Sequence, residues 1–170
     1  SEVRQLTRGA LAEMRTLLLE LRPSALAQAD LPALLQQLAE AASSRARIPV
    51  AVEADPHCAL PADVRVALYR IVQEALNNIV KHAGARRAAI TLRCVPPDPP
   101  LDAGGPAACV ELSVADDGRG YEPAPLEPAG KGLGLGIMRE RAEGAGATFA
   151  FSSEAGKGTS ITVTWPRRNR

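Results

Sequence analysis

RIVQEALNNIVKHA, residues Arg70 to Ala83, is the stretch on which the fold of this chain depends. Ile71, Ala75 and Ile79 recur every fourth residue, with Val72 and Leu76 one step round, so the spacing predicts an amphipathic helix with this stripe in a core. Glu74 and Asn78 are four apart and project from one side of it. Lys81 and His82 follow a turn later. A carboxylate, a carboxamide and a cation along one helix edge suit a hydrated magnesium ion and the phosphates it carries, because magnesium takes hard oxygen ligands and a lysine meets phosphate as a point charge. On this stretch alone, a surface helix with a polar face is the plain alternative.

Working outward, Pro61 and Asp63 open this helix and Gly84 stops it. Before it, Ile48 to Ala54 alternates as a strand, and Asp30 is the expected N-cap of a helix from Leu31 to Arg45, with Leu31, Leu34, Leu35, Leu38 and Ala42 inward. Earlier still, Glu2 to Arg22 reads as a charged helix with apolar residues at heptad spacing (Val3, Ala10, Leu17; Met14, Leu21), ended by Pro23. That stripe calls for cover, either from a second chain or from this chain's own domain.

After the central helix, Ala88 to Val95 alternates as a strand. VPPDPPLDAGGPA, Val95 to Ala107, is too rich in proline and glycine to pair centrally and reads as an exposed hairpin loop. The next strand, Cys109 to Ala115, places Val110, Leu112 and Val114 on one face and runs into Asp116-Asp117-Gly118-Arg119-Gly120. Tyr121 to Lys131 carries three prolines and reads as a mobile loop. GLGLG, Gly132 to Gly136, precedes a helix expected over Ile137 to Ala145. Two strands, Thr148 to Ser152 and Thr159 to Trp165, are joined by a Gly156-Lys157-Gly158 turn. Without internal repeats, the order of elements predicts an α+β fold, a mixed sheet with helices packed on one face.

Composition bounds the rest. The 170 residues are 46% hydrophobic but only 3% aromatic, so the core must be aliphatic. A net charge of +1 argues against a nucleic-acid partner or a broad membrane surface. Arg167, Arg168 and Arg170 form a solvated basic tail. Three cysteines (Cys58, Cys94, Cys109) are an odd number without metal-type spacing. Cys94 and Cys109, in apolar strand runs, read as buried free thiols of a reducing compartment. No signal peptide and no apolar run of bilayer length predict a soluble, cytoplasmic chain. Ser1 in place of an initiator Met points to a piece of a longer protein, and membrane anchoring of that whole is left open.

Two glycine-rich stretches carry further chemistry. Asp116-x-Gly118-x-Gly120 ends a strand; the glycines let the backbone approach a flat ligand, and the carboxylate can accept a hydrogen bond from an exocyclic amine, selecting adenine. Strands commonly end in such turns, so alone it is a weak signal. Gly132-x-Gly134-x-Gly136 opens a helix, where backbone N–H groups suit phosphate. It is not the dinucleotide fingerprint, since no strand leads into it. Thr159 could join the adenine pocket, or serve only a hairpin.

In this order and spacing the four stretches resemble the GHKL ATP-binding fold shared by histidine kinases, type II topoisomerases, the mismatch-repair ATPase and the heat-shock chaperone. EALNNIVKHA resembles the N box, DDGRG the G1 box, GLGLG the G2 box and GKGTSITVTWP the closing strand. ALYRIVQEALNNIVKHAGA and GLGLGIMRERAEGAGATFAFSSEAGKGTSITVTWP are similar, more narrowly, to sensor histidine kinases that partner LuxR-type response regulators. ALAEMRTLLLELRP looks like the second helix of that subfamily's dimerisation and phosphotransfer region.

The resemblance implies a two-layer α/β sandwich over residues 30–166, a partial dimerisation helix over residues 1–23 that can pair two copies through residues 2–22, and a tail at 167–170. It implies ATP and Mg²⁺ as ligands. Asn78 would coordinate the metal, Glu74 would be the N-box acid near the terminal phosphate, and Lys81 and His82 would approach the phosphates. Asp116 would bind the adenine amine, with Gly118 and Gly120 making room. Gly132, Gly134 and Gly136 would wrap the phosphates, residues 121–131 would form the lid, and Thr159 would lie behind the adenine.

The subfamily's phosphate-accepting His lies on a helix before the first residue here, and neither His57 nor His82 fits that role. The implied activity is donation of the ATP γ-phosphate to that absent His, and onward to a LuxR-type regulator. Two other readings stay open: an ATPase with Glu74 activating water, and a non-catalytic nucleotide-binding interaction module.

Overall fold

The computed structural model describes residues 28–56, 58–95, 109–120 and 133–166, together with Thr7, Leu11, Met14 and Leu26. Helix α1 (Leu31–Ala46) starts where the Asp30 carboxylate accepts a hydrogen bond from Ala33 N–H at 3.2 Å. That satisfies one of the donors a helix start leaves over. It ends at Arg47, in the left-handed region at φ 57°. Ser43 Oγ donates to Ile48 C=O at 2.6 Å and closes the turn into β1 (Val50–Ala54). The strand therefore begins two residues later than the alternation predicts. Ile48 and Pro49 are spent on the turn, and Pro49 has no N–H for a ladder.

Helix α2 (Ala62–Asn78) buries Val64, Leu68, Tyr69, Ile71, Val72, Ala75 and Leu76. The stripe read from sequence faces the core as expected. Its N-cap is Pro61, without a side-chain cap. Its end departs from expectation: Ile79–Ala83 is a π-helical turn, not α-helix, closed by Gly84 at φ 58°.

Strand β2 (Ala88–Val95) and β3 (Cys109–Asp116) follow, then α3 (Leu133–Gly144), β4 (Thr148–Glu154) and β5 (Gly158–Pro166). Helix α3 starts four residues before the expected Ile137, so Gly134 and Gly136 lie inside its first turns. The five strands form one sheet in the order β1-β2-β3-β5-β4. Only β1 and β2 are parallel; α2 supplies the crossover such a pair needs. The other pairs are antiparallel.

The buried residues of the strands (Ile90, Leu92, Val110, Leu112, Val114, Ile161, Val163) share one cluster with those of α1, α2 and Met138 and Ala142 of α3. Neighbours along the strands, such as Ala51, Glu53, Ala89, Arg93 and Ala150, are exposed. One face of the sheet carries the helices and the other faces water. This is the α+β, two-layer mixed-sheet architecture expected.

One reading from sequence is corrected. Cys58 and Cys94 are joined by a disulfide, with Cα atoms 5.6 Å apart, and only Cys109 is a free thiol, half-buried rather than buried. Asp55 N–H donates to Leu92 C=O at 2.9 Å, carrying the β1–β2 pairing one residue beyond β1 and bringing the loop ahead of α2 to the far end of β2. Nothing in the spacing of the two residues reveals that meeting. No helix among the described residues is long and apolar enough to cross a membrane.

Of the expected N-terminal helix, Thr7, Leu11 and Met14 are helical. Its other residues, His57, the Pro-rich loop expected over 95–107 apart from Val95, the expected lid at 121–131, Gly132 and the basic tail lie outside the described residues.

Candidate functional site

Two clusters assemble at one end of the sheet. The first lies where α2 meets α3. A Cβ added to Gly134 would stand 2.6 Å from Glu74 Oε1 and 3.5 Å from Asn78 Nδ2. The helical spacing of Glu74 and Asn78 thus turns both side chains toward the start of α3, and only a residue without a side chain leaves the intervening space open. Adjacent Asn77 points elsewhere: its Oδ1 accepts from an Arg45 guanidinium nitrogen at 3.4 Å, tying α2 to α1. A rotation of about 100° per residue separates the two amides, so one braces the scaffold and the other lines the site. Among the described residues, a Cβ added to Gly136 would meet no atom within 4 Å.

The second cluster forms at the end of β3. Asp116 pairs in register with Ala88 of β2 on one side and Thr159 of β5 on the other. Its Oδ1 accepts from Gly118 N–H at 2.8 Å. Burial pushes the Asp116 carboxyl above its ordinary 3.8, against the Gly118 N–H, which lowers it, and with the charge of Asp117, which raises it further. It is half-buried.

Gly118 is buried, and a Cβ there would collide with Ala83 C=O, the last carbonyl of the π turn. Arg119 N–H donates to that same carbonyl at 2.8 Å. Gly120 has φ 67° and lies against Glu154 C=O. Gly156 N–H donates to Arg119 C=O at 2.8 Å, so the Asp-Gly turn is stitched to the β4–β5 hairpin as well.

Asp117 does structural work. Its Oδ1 accepts from the N–H groups of Arg86 and Arg87 at 2.8 and 2.9 Å, and the Arg87 guanidinium lies 3.3 Å from Oδ2. Those main-chain donors, first, hold its carboxyl below the ordinary 3.8. The carboxylate thereby fixes the segment between the π turn and β2.

Thr159 Oγ1 lies 2.9 Å from Ser153 Oγ, which also reaches Gly158 C=O at 3.1 Å. Lys81 and His82 sit on the π turn, both exposed. The structure therefore brings together Glu74, Asn78 and Gly134, and separately Asp116, Gly118, Gly120 and Thr159. The Ala83 carbonyl links the second group to the turn that bears Lys81 and His82.

Sequence reading missed Ala83, Asp117 and Ser153. The first acts through its main chain, which no residue type signals. Ser153 was within reach, because the Gly156-Lys157-Gly158 turn sets it opposite Thr159. The donor set at Glu74 and Asn78, one carboxylate and one carboxamide, fits a hard divalent cation, and the space beside Gly134 fits a phosphate approaching main chain at a helix start.

Residues 63–169 match the family described as histidine kinase-, DNA gyrase B- and HSP90-like ATPase. The chain is 35% identical over 115 residues to the sensor histidine kinase MctS of Rhizobium johnstonii, covering 67% of this chain and 23% of that protein. It is 33% identical over 155 residues to the sensor histidine kinase LiaS of Bacillus subtilis, covering 91% of this chain and 39% of that protein. It thus spans well under half the length of either relative. Among solved structures, full-length ShkA in complex with AMPPNP matches with a TM-score of 0.60 and 28% identity, over 81% of this chain and 30% of that one. The histidine kinase domain of a blue-light activated kinase from Erythrobacter litoralis matches with a TM-score of 0.53 and 27% identity, over 78% and 64% of the two chains.

Proposed function

This chain belongs to the histidine kinase-, DNA gyrase B- and HSP90-like ATPase family, and from that membership we propose that it is the ATP-binding catalytic domain of a sensor histidine kinase. The observation that carries the reading is the convergence of Glu74 and Asn78 on Gly134, with Asp116 and Thr159 paired at the neighbouring end of the sheet. The nucleotide-analogue complex of ShkA, a structural neighbour, supports it.

Each residue has a task in this reading. The Asp116 carboxylate accepts a hydrogen bond from the exocyclic amine of adenine, while Gly118 keeps the main chain close enough for the ring to lie flat. Thr159 lies behind the ring. Asn78 would hold Mg²⁺ with Glu74 beside it, and the ion would supply charge neutralisation on the triphosphate. Lys81 and His82 approach the phosphates from the π turn. Gly132, Gly134 and Gly136 offer main chain rather than side chain to the phosphates, and residues 121–131 close over them.

The chemistry is phosphoryl transfer by positioning and charge neutralisation. An imidazole nitrogen of a His on a dimerisation helix outside this chain attacks the γ-phosphorus. The bond to the β,γ-bridging oxygen breaks and ADP leaves. A LuxR-type response regulator is the expected next acceptor. Residues 30–166 form the catalytic unit, and residues 1–23 belong to the dimerisation region.

The test mixes the chain with ATP, Mg²⁺ and a separate His-bearing helix pair, and measures acid-labile phosphate on the helices. Transfer is expected, and Asn78→Ala should lower it by at least ~100-fold, the loss of about 3 kcal/mol of charge stabilisation. Unchanged transfer by Asn78→Ala removes the metal assignment. Rapid phosphate release by the chain alone would favour an ATPase instead. Nucleotide binding with no transfer would favour a non-catalytic module.

A further inference from the structure

We propose that Cys58 and Cys94 form a reversible thiol–disulfide site that fastens the lead-in of α2 to the far end of β2. The site takes small disulfides as its oxidant. Four observations place it.

The two residues are joined across a separation of 36 residues, with Cα atoms 5.6 Å apart, within the range that lets a disulfide close and open without moving the backbone. Both are half-buried, so a small oxidant or thiol can reach them. Helix α2 has no side-chain cap at its start, where Pro61 occupies the N-cap. The covalent tie at Cys58, just ahead of Pro61, holds the chain where it enters this uncapped helix start. Finally, the loop closed between Cys58 and Cys94 contains all of α2, the π turn and most of β2. It holds Glu74, Asn78, Lys81 and His82, so the tie constrains the segment that furnishes one side of the nucleotide site.

The exchange balances in two steps. The thiolate of one cysteine attacks a sulfur of glutathione disulfide, and one glutathione leaves as its thiolate. The second cysteine, deprotonated, attacks the mixed disulfide and expels the second glutathione. Two protons are released to solvent, protein sulfur is oxidised and glutathione is reduced. The two sulfurs and a carboxylate oxygen of Asp55 lie within 4.8 Å of one another, so opening the disulfide would leave two thiols beside a carboxylate. This arrangement makes a soft divalent metal the rival occupant of the same place.

The experiment uses the whole chain carrying Cys109→Ser, which removes the remaining free thiol. It is equilibrated in glutathione buffers from fully reduced to fully oxidised, quenched in acid, alkylated with a maleimide and weighed. The expected result is two adducts in reducing buffer, none in oxidising buffer, and a peptide linking Cys58 to Cys94. Reduction should lower the melting temperature by roughly 5–15 °C, the scale for a loop of this size. Amide exchange over residues 58–66 should quicken. With Cys94→Ser added, the melting temperature should no longer respond to glutathione. Two adducts at every glutathione ratio overturn the proposal, as does a melting temperature indifferent to reduction. One equivalent of zinc bound by the purified chain and lost with Cys94→Ser also overturns it, since a metal would then hold both thiolates. The first two readings need only the Cys109→Ser chain, so they stand even if the double variant fails to fold.

Discussion

Asp116 and Asp117 are neighbours with opposite pKa shifts, and the contrast separates the carboxylate proposed to bind adenine from a structural one. Asp117 is held below 3.8 by the Arg87 and Arg86 N–H groups. The stability it contributes is present above pH 3.8 and is lost as pH falls through its lower folded value. Asp116 is raised above 3.8, mainly by desolvation. Its ionised form therefore costs stability at neutral pH, and that cost disappears as pH falls through the raised value toward 3.8. Asp116→Asn should leave the melting temperature at pH 7 unchanged or higher, because its amide oxygen still accepts from Gly118 N–H while the desolvated charge is gone. The same change should weaken ATP by ~10–100-fold, the worth of a hydrogen bond to a charged group. A calorimetric titration and a melt on one sample decide it: a large drop in stability would make Asp116 structural. In the native chain, ATP affinity should fall with acid at a pH above 3.8, since the adenine amine needs an ionised acceptor.

At the scale of elements, α2 and α3 meet through the absence of a side chain. Gly134 lies within a helix, where replacing glycine by alanine ordinarily gains ~1 kcal/mol. Here the new methyl would stand 2.6 Å from Glu74 Oε1 and displace it. Gly134→Ala should therefore keep the melting temperature within a few degrees while lowering Mg²⁺-dependent ATP affinity by more than tenfold. If affinity survives, the space beside Gly134 is not where phosphate lies. The interior of each element was legible from its residues: α2 by its 3.6-residue stripe, β2 and β3 by strict alternation. The boundaries were less so. The early start of α3 is hidden because glycines are poor helix formers, and helix packing overrides that preference. The π turn at Ile79–Ala83 has no compositional signal. Its last carbonyl, Ala83, accepts from Arg119 N–H, a partner distant in sequence that no local pattern reveals. Within the site, spacing gave Glu74 and Asn78 one side of a helix. Whether Asn77 or Asn78 faced the site required the position of Arg45.

Among the described residues one aliphatic core lies on one face of the sheet, and that geometry bears on the N-terminal segment. Leu26 is 1% exposed and belongs to the core, whereas Met14 is 62% exposed and Leu11 49%. The chain draws its N-terminal region into the core near residue 26 but leaves these two side chains bare. Met14 belongs to the heptad stripe and Leu11 lies beside it, so of the two expected covers a second copy of the helix is the one these side chains can test. Large apolar side chains contribute about 1.5–3 kcal/mol each when buried, and a two-fold pairing repeats every contact. Replacing both by charge, Leu11→Glu with Met14→Glu, should then weaken self-association by ~100-fold or more. The melting temperature of the domain should stay where it was, because both side chains are exposed. Sedimentation velocity across a concentration series reads the first effect and a thermal melt the second. A native chain that sediments as a monomer at ~100 μM, far above the Kd that such a buried stripe implies, would rule out pairing through this helix. A fall in melting temperature with the double change would instead place the stripe against the domain itself.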